Sequence, residues 1–285
     1  MPHRVALITD STCDIPAEWR AQYEITVIPL TIVFGSQQYL DGVEMQPEEF
    51  YNRLLSDPTH PSSSQPTPQM FLQAFEQAEA NGAEEIMVVT ISSAMSGTIH
   101  SVEQAAQGFH LPVHIVDGRS NSMGIGWQVI AAARAREAGG RIDEMLAAAA
   151  QVRSSMVYYI TLDTIDYLSR GGRISEAARL LNSVLKIRPL IYVNRETGAV
   201  GAGIPARSRA SAIEGLIKEF GKHIVPGKPL HLTVLHNAAL DEAKALAERA
   251  VAEFKPAEMF ISIVSPVLGV HTGPRALALC GYTEA

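Results

Sequence analysis

Cysteine is almost absent from the sequence: Cys13 and Cys280 stand far apart among 285 residues, with no C-x-x-C pair and no zinc-finger spacing. That argues against a disulfide framework or a structural thiolate metal site and fits a reducing compartment. Long apolar runs are missing as well. The opening MPHRVALITD holds only about five apolar residues in a row, too few for a signal h-region or a membrane span, and no later run approaches that length. The expectation is a soluble, cytoplasmic chain without stable membrane insertion. Positive charge is not in excess either. The formal charge is -7, with acidic and basic residues mixed throughout. No basic stripe is present to displace counterions from a phosphate backbone, so nucleic acid is not an expected partner.

Most catalytic signatures are also lacking. There is no Walker loop, HExxH motif or G-x-S-x-G elbow. His110 and His114 stand four apart in HLPVH, but Pro112 forbids the helix that would pair them as metal ligands, and the other histidines are scattered. GAGIPA at 201–206 looks like a dinucleotide loop only superficially, because it follows a hairpin signal and carries Pro205. Internal repeats and low-complexity segments are absent. No metal and no cofactor is expected.

What is present is an apolar content of 47%, enough for two ordinary domains. In the first half, β-rich runs (RVALIT, ITVIPLTIVF, EEIMVVTIS, LPVHIVD) alternate with helical patterns (EEFYNRLL, PQMFLQAFEQAEANG, GTIHSVEQAAQ). Alternation of this kind predicts a mainly parallel α/β sheet with helices on its faces. Two further helices follow, GIGWQVIAAARAREAG and RIDEMLAAAAQVRSS, and ARLLNSVLKI reads as another. From about residue 155 the pattern changes. RPLIYVNRETGAV signals an antiparallel hairpin, and a long helix, a strand, a helix and two closely spaced strands come after it. The fold class read from this is α/β in two domains: 1–155 a mainly parallel α/β domain with hydroxyl-rich loops, 156–285 an α+β domain.

Ligands of open parallel sheets bind beyond the carboxyl ends of the strands, and there the first half stores its polar residues. VALIT ends in Asp10, Ser11 and Thr12; IMVVTI ends in Ser92 and Ser93, with Ser96, Gly97 and Thr98 opening a helix; VHIVD ends in Asp117. Free amides at such a helix start suit an anion. A third hydroxyl cluster, PSSSQPTP, spans 61–68. Thr67 and Pro68 there read as an N-cap and first-position pair, whereas Ser63 and Ser64 lie upstream of that need. Without further information the cluster reads equally well as a solvated loop. Near the end, SPVLGVHTGPRALALC places His271 after an apolar strand and before a Thr-Gly-Pro turn, which would present the imidazole in a loop.

Together these blocks resemble the DegV family of bacterial fatty-acid-binding proteins. The resemblance runs through ITDSTCDIP (8–16), YLDGVEMQPEEFY (39–51), SSQPTP (63–68), ISSAMSGT (91–98), VDGRSNSMG (116–124), LDTIDYLSRGGRIS (162–175), LLNSVLKIRPLI (180–191) and GVHTGP (269–274). It implies a long-chain fatty acid such as palmitate lying between the two domains, its acyl chain in an apolar tunnel. By similarity Ser63 and Ser93 bind the carboxylate and His271 approaches from the second domain, with Ser64, Ser96, Thr98 and Thr272 around them. It also implies a non-catalytic carrier. Some members are the lipid-carrying subunit of bacterial fatty acid kinase, offering the acid to a separate ATP-binding subunit that makes acyl phosphate, and the fold resembles dihydroxyacetone kinase subunits. Two positions depart from the family pattern: Ser63 stands where Thr is usual, and Arg275 where Gly-Pro-Gly would end in glycine.

Hydroxyls suit such a task physically. About 14 methylenes at roughly 0.8 kcal/mol each give a gross transfer energy near 11 kcal/mol, so the tail can carry the affinity. The head group then needs its lone pairs satisfied, and each charge-assisted hydrogen bond contributes roughly 1.5–3 kcal/mol. An uncharged cradle would accept both the acid and its acyl phosphate, where an arginine clamp would hold either too firmly. Arg170 and Arg173 in YLSRGGRIS read either as ordinary helix C-terminal cations or as a docking edge for a kinase subunit. Two enzyme readings compete. One is a serine hydrolase of lipid esters using Ser93, His271 and Asp10 or Asp117. The other is a phosphatase of the haloacid dehalogenase type with Asp10 as nucleophile, for which Thr12 stands where a second acid is expected.

Overall fold

The fold was obtained as a computed structural model, which describes residues 4–174, 177–178 and 187–284. Strand β1 (Val5–Asp10) is buried along nearly its whole length, as expected of a strand covered on both faces. Its sheet has the order β2 (Ile25–Ile28), β1, β6 (Glu85–Thr90), β7 (Val113–Asp117), and every pair is parallel. This is the parallel sheet that the alternating pattern predicts.

The run ITVIPLTIVF is not one strand. It breaks at Pro29, which has no amide to give a ladder. The second half, β3 (Thr31–Phe34), enters a separate antiparallel sheet with β4 (Gln37–Leu40) and β5 (Ser62–Ser64). The serine cluster is therefore partly strand rather than solvated loop, with Ser63 opposite Ile32 and Ser64 opposite Thr31. α1 (Ala17–Gln22) and α2 (Pro47–Ser56) precede it, and α3 (Pro68–Ala80) follows with Pro68 at its start. The Thr67 side chain makes no capping bond, so proline pre-organisation alone marks that helix start. α4 (Thr98–Ala106) follows β6.

The second lobe is built on a six-stranded sheet. Its order is β10 (Val200–Ala202), β9 (Leu190–Val193), β8 (Val157–Thr161), β13 (Leu277–Thr283), β11 (Leu230–His236), β12 (Glu258–Ile263). All pairs are antiparallel except β11 with β12, which α9 (Leu240–Phe254) joins by a crossover. The expected hairpin is β9–β10, and the Asn194 side chain accepts from the amides of Glu196 and Thr197 in its turn. α8 (Arg209–Gly221) is capped by Ser208, whose hydroxyl accepts from the Ser211 amide.

α5 (Met123–Glu137) ties the lobes together. It is buried almost all round, the mark of a helix enclosed on every side. The largest apolar cluster runs from Leu7 and Met87 of the first sheet through Trp127 to Tyr158 and Cys280 of the second. α6 (Ile142–Ser155) packs beside α5, and β8 starts two residues later, at Val157. The helix expected over ARLLNSVLKI lies almost wholly outside the described residues. Toward the C-terminus a short helix, α10 (Pro266–Thr272), stands between β12 and β13 where an apolar strand and a loop are predicted. Pro266 at the first helical position selects helix for that ambiguous apolar run. Among the described residues no helix is long and apolar enough to cross a membrane.

Candidate ligand-binding site

A cavity of about 350 Å³ opens between the lobes. Its walls are apolar: Leu30 and Ile91 of the first lobe face Ile160, Ile191, Val193, Val200 and Leu268 of the second, with Leu168 from α7 (Asp166–Arg170). At ~30 Å³ for a water-sized group, that volume takes on the order of a dozen methylenes. Among the described residues the polar lining comes from six segments: Thr12 after β1, Ser63, Ser64 and Gln65 at the end of β5, Ser96 after β6, Asn121 before α5, Arg173 after α7, and His271 with Thr272 at the end of α10.

Hydrogen bonds in this lining join the two lobes, and one of them pairs Ser63 with His271. Ser63 Oγ and His271 Nε2 are 2.8 Å apart, the donor being set by the imidazole tautomer. Burial, together with the positive charge of Arg173 and the nearby His60, pushes the imidazole pKa down to about 4, so His271 is neutral at pH 7. Its Nδ1 is buried and has no hydrogen-bond partner among the described residues. His271 therefore lies in the last turn of a helix, not in a loop. Gly273, at φ 70 and ψ -178, ends that helix in a conformation open only to glycine. Thr272 is fixed from both sides: its hydroxyl donates to Leu268 O at 2.9 Å and accepts from Asn237 Nδ2 at 2.8 Å.

The remaining sequence-predicted residues divide. Ser96 lines the cavity and its hydroxyl lies 2.9 Å from that of Thr98, which is fully buried behind it and does not line the cavity. Ser93 is exposed and turns away. Its hydroxyl donates to Asp117 Oδ2 at 2.5 Å and its amide to Asp117 Oδ1 at 3.2 Å, so the arrangement does not bring it to the cavity. The carboxylate at the end of β7 out-competes the cavity for that serine. Arg170 is exposed, whereas Arg173 lines the cavity. Gly172 at φ 68 reverses the chain, after which Arg173 Nε donates to Met95 O at 3.1 Å and Nη1 to Gly171 O at 2.8 Å. The expected uncharged cradle thus has a guanidinium beside it. Sequence reasoning quoted Gln65 and Asn121 within its blocks but gave them no role; their position next to the hydroxyl runs was the available signal.

The geometry disposes of both enzyme readings. Ser93 pairs with Asp117 while His271 pairs with Ser63, so the hydrolase constellation is not assembled, and among the described residues no carboxylate lines the cavity to orient the imidazole. Asp10 is fully buried, accepting from the Thr12 amide and hydroxyl and from the Ile91 amide, which leaves it no access to a phosphate. No group of three or more potential metal ligands occurs among the described residues. Arg275 holds φ 60, the left-handed geometry a glycine would adopt, with its amide donating to Asn237 O at 2.7 Å.

The two-lobed α/β chain thus encloses an interlobe cavity with apolar walls, lined also by hydroxyls and a neutral imidazole. The profile described as "Uncharacterised protein, DegV family" matches residues 4–284, and the chain belongs to that family. A DegV domain-containing protein of Streptomyces coelicolor is 34% identical over 281 residues, 98% of each chain. Among solved structures, a fatty-acid-binding DegV family protein from Thermus thermophilus superposes with a TM-score of 0.92 at 30% identity, covering 98% of this chain and 99% of that one. DegV from Bacillus subtilis, described as a fatty acid binding protein, gives a TM-score of 0.90 at 25% identity, covering 99% and 100%.

Proposed function

We propose that this protein binds a long-chain fatty acid in the interlobe cavity, with the carboxylate at the end lined by Ser63, Ser64, Ser96, Thr272 and His271. The observation that carries the reading is the make-up of the cavity: apolar walls together with uncharged hydrogen-bonding side chains, of which Ser63 and His271 stand 2.8 Å apart. A dozen buried methylenes contribute roughly 10 kcal/mol gross before association costs. A neutral imidazole carrying its proton on Nε2 donates to Ser63 Oγ and leaves the Ser63 proton for the ligand. Arg173, already held by two carbonyls, adds one positive charge near the head group. Likeness to the Thermus and Bacillus proteins supports the same ligand class.

The protein acts as a carrier, and a separate ATP-binding kinase subunit is the partner to which it presents the acid for acyl phosphate formation. Exposed Arg170, beside the cavity-lining Arg173, is the docking candidate for that subunit. Native mass spectrometry of protein purified from bacteria tests the ligand: one long-chain fatty acid per chain is expected, lost on delipidation and restored by added acid. Protein that never carries or takes up a fatty acid overturns the reading.

A further inference from the structure

Helix α10 belongs to the second lobe by sequence, yet the first lobe holds its start. The Ser265 amide donates to Asp14 Oδ1 at 2.9 Å and the Val267 amide to Asp41 Oδ1 at 3.2 Å. Amides at a helix start have no partner within the helix, and Ser265 makes no side-chain cap of its own. The two carboxylates supply across the interface what a local cap would otherwise provide.

Both acids are themselves clamped. Ser122 Oγ donates to Asp14 Oδ2 at 2.5 Å, and Ser11 Oγ donates to Asp41 Oδ2 at 2.6 Å while accepting from the Leu30 amide at 3.0 Å. Asp14 (φ 51, ψ 21) and Ser122 (φ 49, ψ -142) sit in backbone conformations that non-glycine residues rarely adopt, and strain of that kind gathers where a site is held in place. α10 also presses against α2. A Cβ on Gly269 would come within 2.6 Å of the Phe50 ring, so only glycine permits this approach. Four residues beyond Val267, about 6 Å along the axis, stands His271.

We propose that Asp14 and Asp41 are positioning residues for His271: by anchoring α10 to the first lobe they set the Ser63–His271 contact at the head of the cavity. The inference rests on reading that cavity as a carboxylate site. Burial pushes both carboxyls up, Asp14 to about 7 and Asp41 to about 8, so near neutrality the neutral acid is a substantial form of each. Asparagine resembles that form. It keeps an acceptor for the α10 amide and can donate to Ser122 or Ser11. The groups facing His271 itself are Ser63, Arg173 and His60.

The test follows the His271 imidazole by NMR in ligand-free protein and, separately, the rate of fatty-acid release. Asp41→Ala and Asp14→Ala are expected to lift the His271 midpoint from about 4 toward the ~6.5 of a free imidazole. They should also speed release about tenfold or more. Asp41→Asn and Asp14→Asn should remain near wild type in both. Phe75→Leu, in a separate cluster under the first sheet, serves as a destabilised control that touches neither α10 nor the cavity. Alanine variants that lose stability but match this control in both readouts overturn the proposal. Should they fail to fold, Ser11→Ala and Ser122→Ala loosen the acids without removing them; an unmoved His271 midpoint in both would overturn it equally. If the wild type binds no fatty acid, the reading of the cavity falls, while the His271 midpoint still decides the anchoring.

Discussion

Replacing Ser63 by alanine removes the hydroxyl that meets His271 across the lobe boundary. Two losses follow from the geometry. The carboxylate loses a charge-assisted hydrogen bond of roughly 1.5–3 kcal/mol. At about 1.4 kcal/mol per tenfold, binding weakens by about 10- to 150-fold. The second loss falls on the empty protein. Among the described residues His271 Nδ1 has no partner, and Nε2 would lose Ser63 at 2.8 Å. A buried polar group left unpaired costs about 1–3 kcal/mol, so the denaturation midpoint should fall with no change in the slope m. The assay is displacement of a fluorescent fatty acid alongside denaturant unfolding. Ser63→Thr keeps the hydroxyl and is expected within a few-fold of wild type. Ser93→Ala is expected to leave affinity unchanged, because Asp117 holds that side chain outside the cavity. Unaltered binding by Ser63→Ala, or a larger loss in Ser93→Ala, would refute the reasoning.

Gly273→Ala should cost at least about 2 kcal/mol in denaturant unfolding, since its φ of 70 with ψ of -178 is closed to alanine and the new Cβ would lie 2.3 Å from Tyr167. Because the imidazole of His271 titrates near 4 folded and ~6.5 unfolded, the unfolded state binds more protons in that window. Its contribution is complete above the upper value and is lost as pH falls toward the lower. At about 1.4 kcal/mol per unit, the stability gap between wild type and His271→Gln should shift by up to about 3 kcal/mol against His271→Gln as pH rises through the window, read by calorimetry at several pH values. Differencing against that variant removes the opposite trend of Asp14 and Asp41, whose raised pKa values favour the folded state at low pH. Arg275→Gly relieves a left-handed arginine worth about 1–2 kcal/mol. It also loses exposed contacts to Glu242 at 3.4 Å and Asp163 at 3.8 Å and frees the unfolded chain, so its midpoint of unfolding should move little.

Periodicity made the parallel sheet of the first lobe and the β9–β10 hairpin legible, because each rests on contacts near in sequence or on a regular apolar pattern. Pro29 was equally visible, but that it sends β3 into a different sheet depends on what β3 pairs with, which no local pattern states. α10 was misread for a related reason: VLGV is too short for periodicity to separate strand from helix. At the site, the hydroxyl blocks marked the right loops but not which hydroxyl faces inward. Ser93 and Ser96 are three residues apart in one loop, and only the position of Asp117 on the neighbouring strand decides that Ser93 turns out. Arg173 enters the cavity because a positive φ at Gly172 turns the chain, and sequence cannot show that the reversal points inward. The carboxylates under α10, Asp14 and Asp41, stand within the blocks ITDSTCDIP and YLDGVEMQPEEFY, but no local pattern marks them as anchors of a helix more than 200 residues later.

The central claim is tested most directly by locating the carboxylate in a crystal of the protein loaded with a long-chain fatty acid. It is expected within hydrogen-bonding reach of Ser63 and Ser96, with the acyl chain running along Ile160, Ile191 and Leu268. A carboxylate in solvent with the tail outside the interlobe cavity, or a head group held by Ser93 and Asp117, would contradict it.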